Sequence, residues 1–137
     1  MTSPASTSPT APTLVDGAAL DILADAVGPE NLPMVMDLVI ESVATRRLEL
    51  SAGAASRDLA LVERVAHQLK SDCRQMGAAD LAGRLQQIES GTRVGSLPGA
   101  ADVERIIAQL DAFMAAVRCQ REARAAAVEQ FEIRRAA

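Results

Sequence analysis

From about residue 16 to residue 117 the apolar side chains recur at steps of three, four and seven, in five segments parted by short breaks containing glycine or proline. That is the period of a helix with one buried stripe. The alternation that marks a half-buried strand is missing. The apolar residues are Ala, Leu, Val, Ile and Met, with only two aromatics, Phe113 and Phe131. Short breaks between helices make consecutive helices antiparallel neighbours. The pattern predicts an all-α fold of five helices, the first of them short, with antiparallel neighbours. At 137 residues the chain is one domain with a core of its own.

The first helix is expected from about Asp16, its cap, to Val27, with Leu20, Leu23 and Val27 apolar and Gly28-Pro29 ending it. The second runs from about Asn31, a cap ahead of Pro33, to about Ala52. Its stripe is Val35, Leu38 or Val39, Ser42 or Val43, and Leu50. Asp58 opens the third, which ends near Met76, where Gly77 supplies the chain reversal. The fourth, from about Ala79 to Ser90, buries Leu81, Leu85 and Ile88 and carries Gly83 at a cost of about 1 kcal/mol. After a Gly/Pro loop over 91–100, the fifth begins near Ala101 or Asp102. It presents Val103, Ile106 or Ile107, Leu110, Met114 and Val117. Residues 1–13 read as a disordered leader, 14–120 as the helical domain, and 121–137 as a helical or frayed tail. That tail is either a solvated extension or a docking or dimerisation segment using Val128, Phe131 and Ile133.

A net charge of −4 argues against nucleic acid as a main partner. No apolar run approaches the length needed to span a bilayer, and MTSPASTSPTAPT lacks the basic and apolar parts of a signal peptide. Two cysteines make neither a disulfide framework nor a zinc site, and Cys73 falls on the third helix's apolar stripe as a small core residue. The expectation is a cytoplasmic protein with no membrane partner. Gly-rich phosphate loops, carboxylate clusters with metal spacing and kinase motifs are all missing from the sequence.

His67, the one histidine, lies on the third helix. Against the stripe Val62, Val65, Leu69 and Met76, it is rotated by roughly 160° from either Val65 or Leu69. The imidazole is expected to face solvent, with Glu63 and Arg64 a turn before it, Lys70 and Ser71 a turn after it, and Arg74 two turns on. Asp72 lies roughly 140° off that face. A lone surface histidine is more often incidental than functional, so exposure alone decides nothing. Its chemistry is nonetheless suitable. Imidazole, with an ordinary pKa near about 6.5, is a neutral nucleophile at neutral pH. Attack on an acyl phosphate gives a phosphoramidate that keeps its transfer potential. Lys70, one turn on, is placed to stabilise the added charge.

The stretch AHQLKSDCRQMGAADL, residues 66–81, resembles the signature of the histidine-containing phosphotransfer (HPt) domain. Ala66, His67, Leu69, Lys70, Met76, Gly77, Ala78 and Leu81 stand at the family's signature positions, and Ile88-Glu89 at its closing apolar-Glu pair. The resemblance implies a four-helix bundle that relays phosphoryl groups, its short first helix lying across one end. It implies His67 as phosphoacceptor, Lys70 as the phosphate-stabilising residue and Gly77 as a structural one. Leu20 or Leu23, Glu63, Arg64, Ser71 and Arg74 become candidates for partner docking. Small residues such as Gly83 would let the fourth helix approach the third. The partners implied are receiver domains of a hybrid histidine kinase and of a response regulator, which supply the aspartate, the Mg2+ and the activating lysine. The chain itself would then be a monomeric carrier, not an enzyme, with no cofactor or metal of its own. Ser71 replaces the family's usual glycine, Asp72 and Arg74 replace small residues, and Val39 stands where phenylalanine is most frequent. Two other readings stay open. One is a non-catalytic helical module that binds and inhibits a receiver or kinase. The other is an unrelated adaptor whose histidine is incidental.

Overall fold

The computed structural model describes residues 14–136 as five helices. The leader expected over 1–13 lies outside the described residues. The helices are α1 (Gly17–Val27), α2 (Leu32–Ala55), α3 (Leu59–Gln75), α4 (Ala79–Arg93) and α5 (Ala100–Ala136). The last four form the antiparallel bundle. α3 sits between α2 and α4 and shares its most extensive approach with α4, while α2 also packs on α5 and the α4–α5 seam is the thinnest.

Local chemistry sets the helix ends. Asp16 and Asp58 cap α1 and α3 by accepting from the backbone N–H of Ala18 (3.0 Å) and Leu61 (3.1 Å). Asn31 precedes α2 but makes no capping bond; its side chain donates instead to the Val27 carbonyl at 2.7 Å. α3 ends in a turn with Gly77 at φ +78°, where Gly77 N–H reaches the Arg74 carbonyl and Ala78 N–H reaches that of Cys73. α2 ends the same way, with Arg57 at φ +58° in the left-handed position. α4 continues three residues past the expected Ser90, and these bring Thr92 and Arg93 onto the helix.

The core is aliphatic around one aromatic, Phe113, with Leu20, Met36, Leu50, Leu69, Met76, Leu85 and Leu110 all fully enclosed. Each such side chain stabilises the fold by about 1.5–3 kcal/mol over its exposed state. On α2 the buried residues are Leu32, Met36, Val39, Val43 and Leu50, which leaves Leu38 exposed and Val35 half-buried. On α5, Ile106 and not Ile107 takes the central position. On α4, Glu89 occupies the core step expected for Ile88, which is half-buried. Cys73 is enclosed, and burial first, then the nearby Asp72 charge, pushes its thiol up to about 12.

α1 lies against the α3–α4 turn. Asp16 N–H donates to the Met76 carbonyl at 3.0 Å, and Leu20 closes the core there. A Cβ on Gly77 would come to 2.5 Å from the Asp16 Cβ and 2.8 Å from the Ala19 Cβ. Gly77 therefore serves two needs, the left-handed turn and the close seat of α1. Gly83 does not bring α4 onto α3: it is exposed, and a Cβ there would meet nothing within 4 Å. Close packing occurs instead at Gly53, where a Cβ would press on Val62 at 3.1 Å.

The last enclosed side chain of α5 is Val117, yet the helix runs on to Ala136. Arg121 pairs with Asp37 (2.6 and 2.9 Å), and Arg124 with Asp21 (3.0 Å) and the Gly17 carbonyl (3.2 Å). These hold the next two turns beside α1 and α2. Beyond them Val128, Phe131 and Ile133 are exposed. Among the described residues no helix is long and apolar enough to cross a membrane.

Two glycine substitutions of opposite sign test this packing. Gly77→Ala is expected to cost about 2 kcal/mol or more, from left-handed strain plus overlap with α1. Gly83→Ala is expected to stabilise by about 0.5–1 kcal/mol. Urea unfolding midpoints measure both. The thiols give an independent check: a thiol reagent should titrate exposed Cys119 in the native protein and reach Cys73 only on unfolding.

Candidate functional site

Because α3 packs on two helices, its buried arc is wider than a single apolar stripe. Ala66 and Lys70, one turn apart, extend it towards α4, while Asp72 marks the α2 side, where Ser42 donates to its carboxylate at 2.7 Å. Burial raises the Asp72 pKa, and the Ser42 bond and the Arg46 charge partly offset this. His67 follows Ala66 and lies roughly 60° around the helix from Lys70. Its imidazole therefore stands at the rim of the α3–α4 seam. It is 61% exposed, with one edge touching α4.

That edge meets Glu89. The His67 Nδ1 lies 2.9 Å from Glu89 Oε2, and the Glu89 side chain is only 2% exposed. Lys70 Nζ donates to Glu89 Oε1 at 2.5 Å and to Gln86 Oε1 at 2.7 Å. Gln86 is oriented in turn by donating to Ser90 Oγ at 3.0 Å. Arg93 Nη2 donates at 2.9 Å to the same Oε2 that His67 touches. Thr92 Oγ1 donates to the Glu89 backbone carbonyl at 2.7 Å and lies 3.5 Å from Glu63. Residues 89 and 90 lie three and four after Gln86, and Arg93 lies four and three after them, so the four present one polar face of α4.

The Lys70 hydrogen bond holds the Glu89 carboxyl below the usual carboxylate range; burial opposes it, and the His67 bond adds to the lowering. An ionised carboxylate only accepts, so the Nδ1 it touches carries the proton. In the neutral ring this tautomer places the lone pair on Nε2, which has no hydrogen-bond partner among the described residues. The arrangement is an exposed imidazole whose Nδ1–H is held by a buried carboxylate, with Nε2 on the free edge of the ring. A positive charge developing on the ring would be stabilised through Nδ1–H.

Several residues singled out in the sequence fall elsewhere. Lys70 does not stand on the outer face beside His67. It is 7% exposed, with its ammonium committed to Glu89 and Gln86. Leu20 is fully enclosed and cannot form a docking surface, and Leu23 is half-buried against the core; exposed apolar side chains nearby in the chain are Ile22, Met34 and Leu38. Arg64, Ser71 and Arg74 are exposed on α3 with His67. Glu63 is half-buried, with the Arg93 Nε at 3.9 Å. The structure thus adds Glu89, Gln86 and Arg93 to the site. The signal for Glu89 was present: it stands four after Leu85, at a core step of α4, where a charged residue demands a partner. No group of three or more metal-ligating side chains occurs among the described residues.

Residues 34–120 match the family model described as Hpt domain. Over 83 residues, 61% of this chain and 74% of the relative, the sequence is 22% identical to the phosphorelay protein LuxU of Vibrio cholerae. The fold is shared with the crystal structure of histidine-containing phosphotransfer protein B (HptB) from Pseudomonas aeruginosa PAO1. The TM-score is 0.73 at 23% identity, over 82% of this chain and 97% of that one.

Glu89→Gln tests the buried network. Near neutral pH it is expected to cost about 2–3 kcal/mol, because Lys70 loses the charge it is paired with. The lowered pKa of Glu89 means its contribution is present above the unfolded-state pKa and is lost as pH falls through the lower folded-state value. Urea unfolding across pH should show the gap between wild type and variant closing below about pH 4.

Proposed function

The chain belongs to the Hpt domain family, as a histidine phosphotransfer protein of a two-component phosphorelay, and on that footing we propose that His67 is its phosphoacceptor. The observation that carries the assignment is the His67–Glu89 contact, which holds the ring proton on Nδ1 and leaves Nε2 as the free edge of an exposed imidazole. Nε2 attacks the phosphorus of an acyl phosphate on a receiver-domain aspartate. The N–P bond forms, the P–O bond to the aspartate breaks, and the electron pair leaves with the aspartate as a free carboxylate. Nδ1 keeps its proton throughout, so the phosphorylated ring becomes cationic and Glu89 faces that charge directly. Return of the group to a second receiver reverses these steps.

Lys70 serves this reaction indirectly. By occupying Glu89 Oε1 it keeps the carboxylate ionised and its other oxygen aimed at His67. Proteins of this family interact with receiver domains and kinases and are generally not catalysts. Our reading extends this: the receiver supplies the aspartate, the Mg2+ and the activating lysine, and this chain supplies a cytoplasmic, monomeric carrier with no cofactor of its own. Arg64 and Arg74 flank His67 on the exposed side of α3, and neither has an ion-pair partner among the described residues. Such a stripe suits an acidic receiver pocket and is expected to make association slow with rising salt. Ser71 leaves a low surface beside the imidazole.

Transfer from a phosphorylated receiver is expected to label the wild-type protein and leave His67→Gln unlabelled. The label should be acid-labile and base-stable, as a phosphohistidine requires. A wild-type protein that binds receivers yet takes no label would replace the carrier with an inhibitory interaction module.

A further inference from the structure

Phosphorylation brings about two negative charges to a place where charges are otherwise balanced. Around His67 the resting cluster holds two carboxylates, Glu63 and Glu89, and two cations, Lys70 and Arg93. The phosphoryl oxygens need a cation that is near, has reach and can leave its present partner without stranding it. Lys70 fails the last two conditions. Its side chain is 9% exposed, and withdrawing its ammonium would remove the main partner of an enclosed carboxylate. Arg64 and Arg74 share the face of α3, but neither makes a hydrogen bond or ion pair with His67 or Glu89 among the described residues.

Arg93 meets all three. Its side chain is 59% exposed, and its Nη2 bonds the same Glu89 oxygen as the His67 Nδ1, each at 2.9 Å. The guanidinium therefore sits beside the imidazole edge in the resting protein. Its second contact, Glu63 at 3.9 Å, is loose. If it turns away, Glu89 keeps Lys70 on one oxygen and the Nδ1–H of a now cationic ring on the other. A guanidinium also offers five donors in a planar fork that matches phosphoryl oxygens, which an ammonium cannot do.

We propose that Arg93 is the phosphoryl-binding residue of this carrier, exchanging its bond to Glu89 for bonds to the phosphoryl oxygens on His67. This rests on His67 being the phosphoacceptor. Before transfer Arg93 helps hold the carboxylate; after transfer it neutralises the product. Lys70 stays in place through both states.

The test is the equilibrium distribution of phosphoryl group between a receiver domain and this protein, for wild type, Arg93→Ala and Arg93→Lys. Altered docking changes the rate of approach to equilibrium but not the final ratio, so the ratio reads stabilisation of the phosphorylated state alone. Arg93→Ala is expected to shift it about tenfold towards the receiver, the worth of one charge-assisted hydrogen bond. Arg93→Lys should recover part of that shift, and Arg93→Gln repeats the test should the alanine variant fail to fold. A wild-type ratio in Arg93→Ala, with or without a changed unfolding midpoint, overturns the proposal and leaves Arg93 a structural partner of Glu89. Failure of the wild-type protein to take label overturns the phosphoacceptor reading instead.

Discussion

A carboxylate taken almost wholly out of water costs several kcal/mol unless its lone pairs are filled, and Glu89 is in that position. Lys70 fills one oxygen; His67 and Arg93 share the other. The requirement works in both directions. The carboxylate stays ionised because the ammonium is there, and because it is ionised it dictates which imidazole nitrogen carries the proton. A hydrophobic pair of similar volume in place of Lys70 and Glu89 would pack the seam at little or no loss of stability. What such a pair lacks is a hold on His67, and that is the network's physical use.

The bundle exists around this seam in a specific sense. Lys70 can reach Glu89 only if α3 and α4 approach closely, and the buried small residues Ala66, Ala78 and Ala82 permit that approach. The register between the two helices is set at their joining turn, where Gly77 takes the left-handed conformation and no side chain keeps α1 away. α1 then covers the turn with Leu20 and a backbone bond to Met76. Tight packing on one side of α3 and an open face on the other leave His67 rigidly mounted but reachable.

Five helices, their order, their approximate ends and the exposure of His67 were legible in the sequence because helical period and breakers are local signals. The site was only half legible, for a physical reason. The stripe Val62, Val65, Leu69 and Met76 is apolar and easily read, but the α4-facing part of the same buried arc is made of Ala66 and Lys70. A lysine one turn from a histidine reads as a solvent-facing helper until the glutamate that buries it is found on another helix. Glu89 lies 22 residues away from His67, beyond any helical spacing. Leu20 misled in the opposite way, since an apolar residue on a short end helix serves core and surface equally well in pattern and only packing distinguishes them. The α2–α3 turn was seen as a break without its mechanism, because the left-handed position there is an arginine, not glycine.

Glu89 sets which nitrogen of the His67 ring is protonated, and nitrogen-15 NMR of His67 at neutral pH reads this without any partner protein. Two-bond and three-bond couplings to the carbon-bound ring protons should identify Nδ1 as the protonated nitrogen and Nε2 as the bare one, and the Glu89→Gln variant should lose that preference. A ring protonated at Nε2, or averaging between tautomers as a free histidine does, would mean that Glu89 does not hold the imidazole.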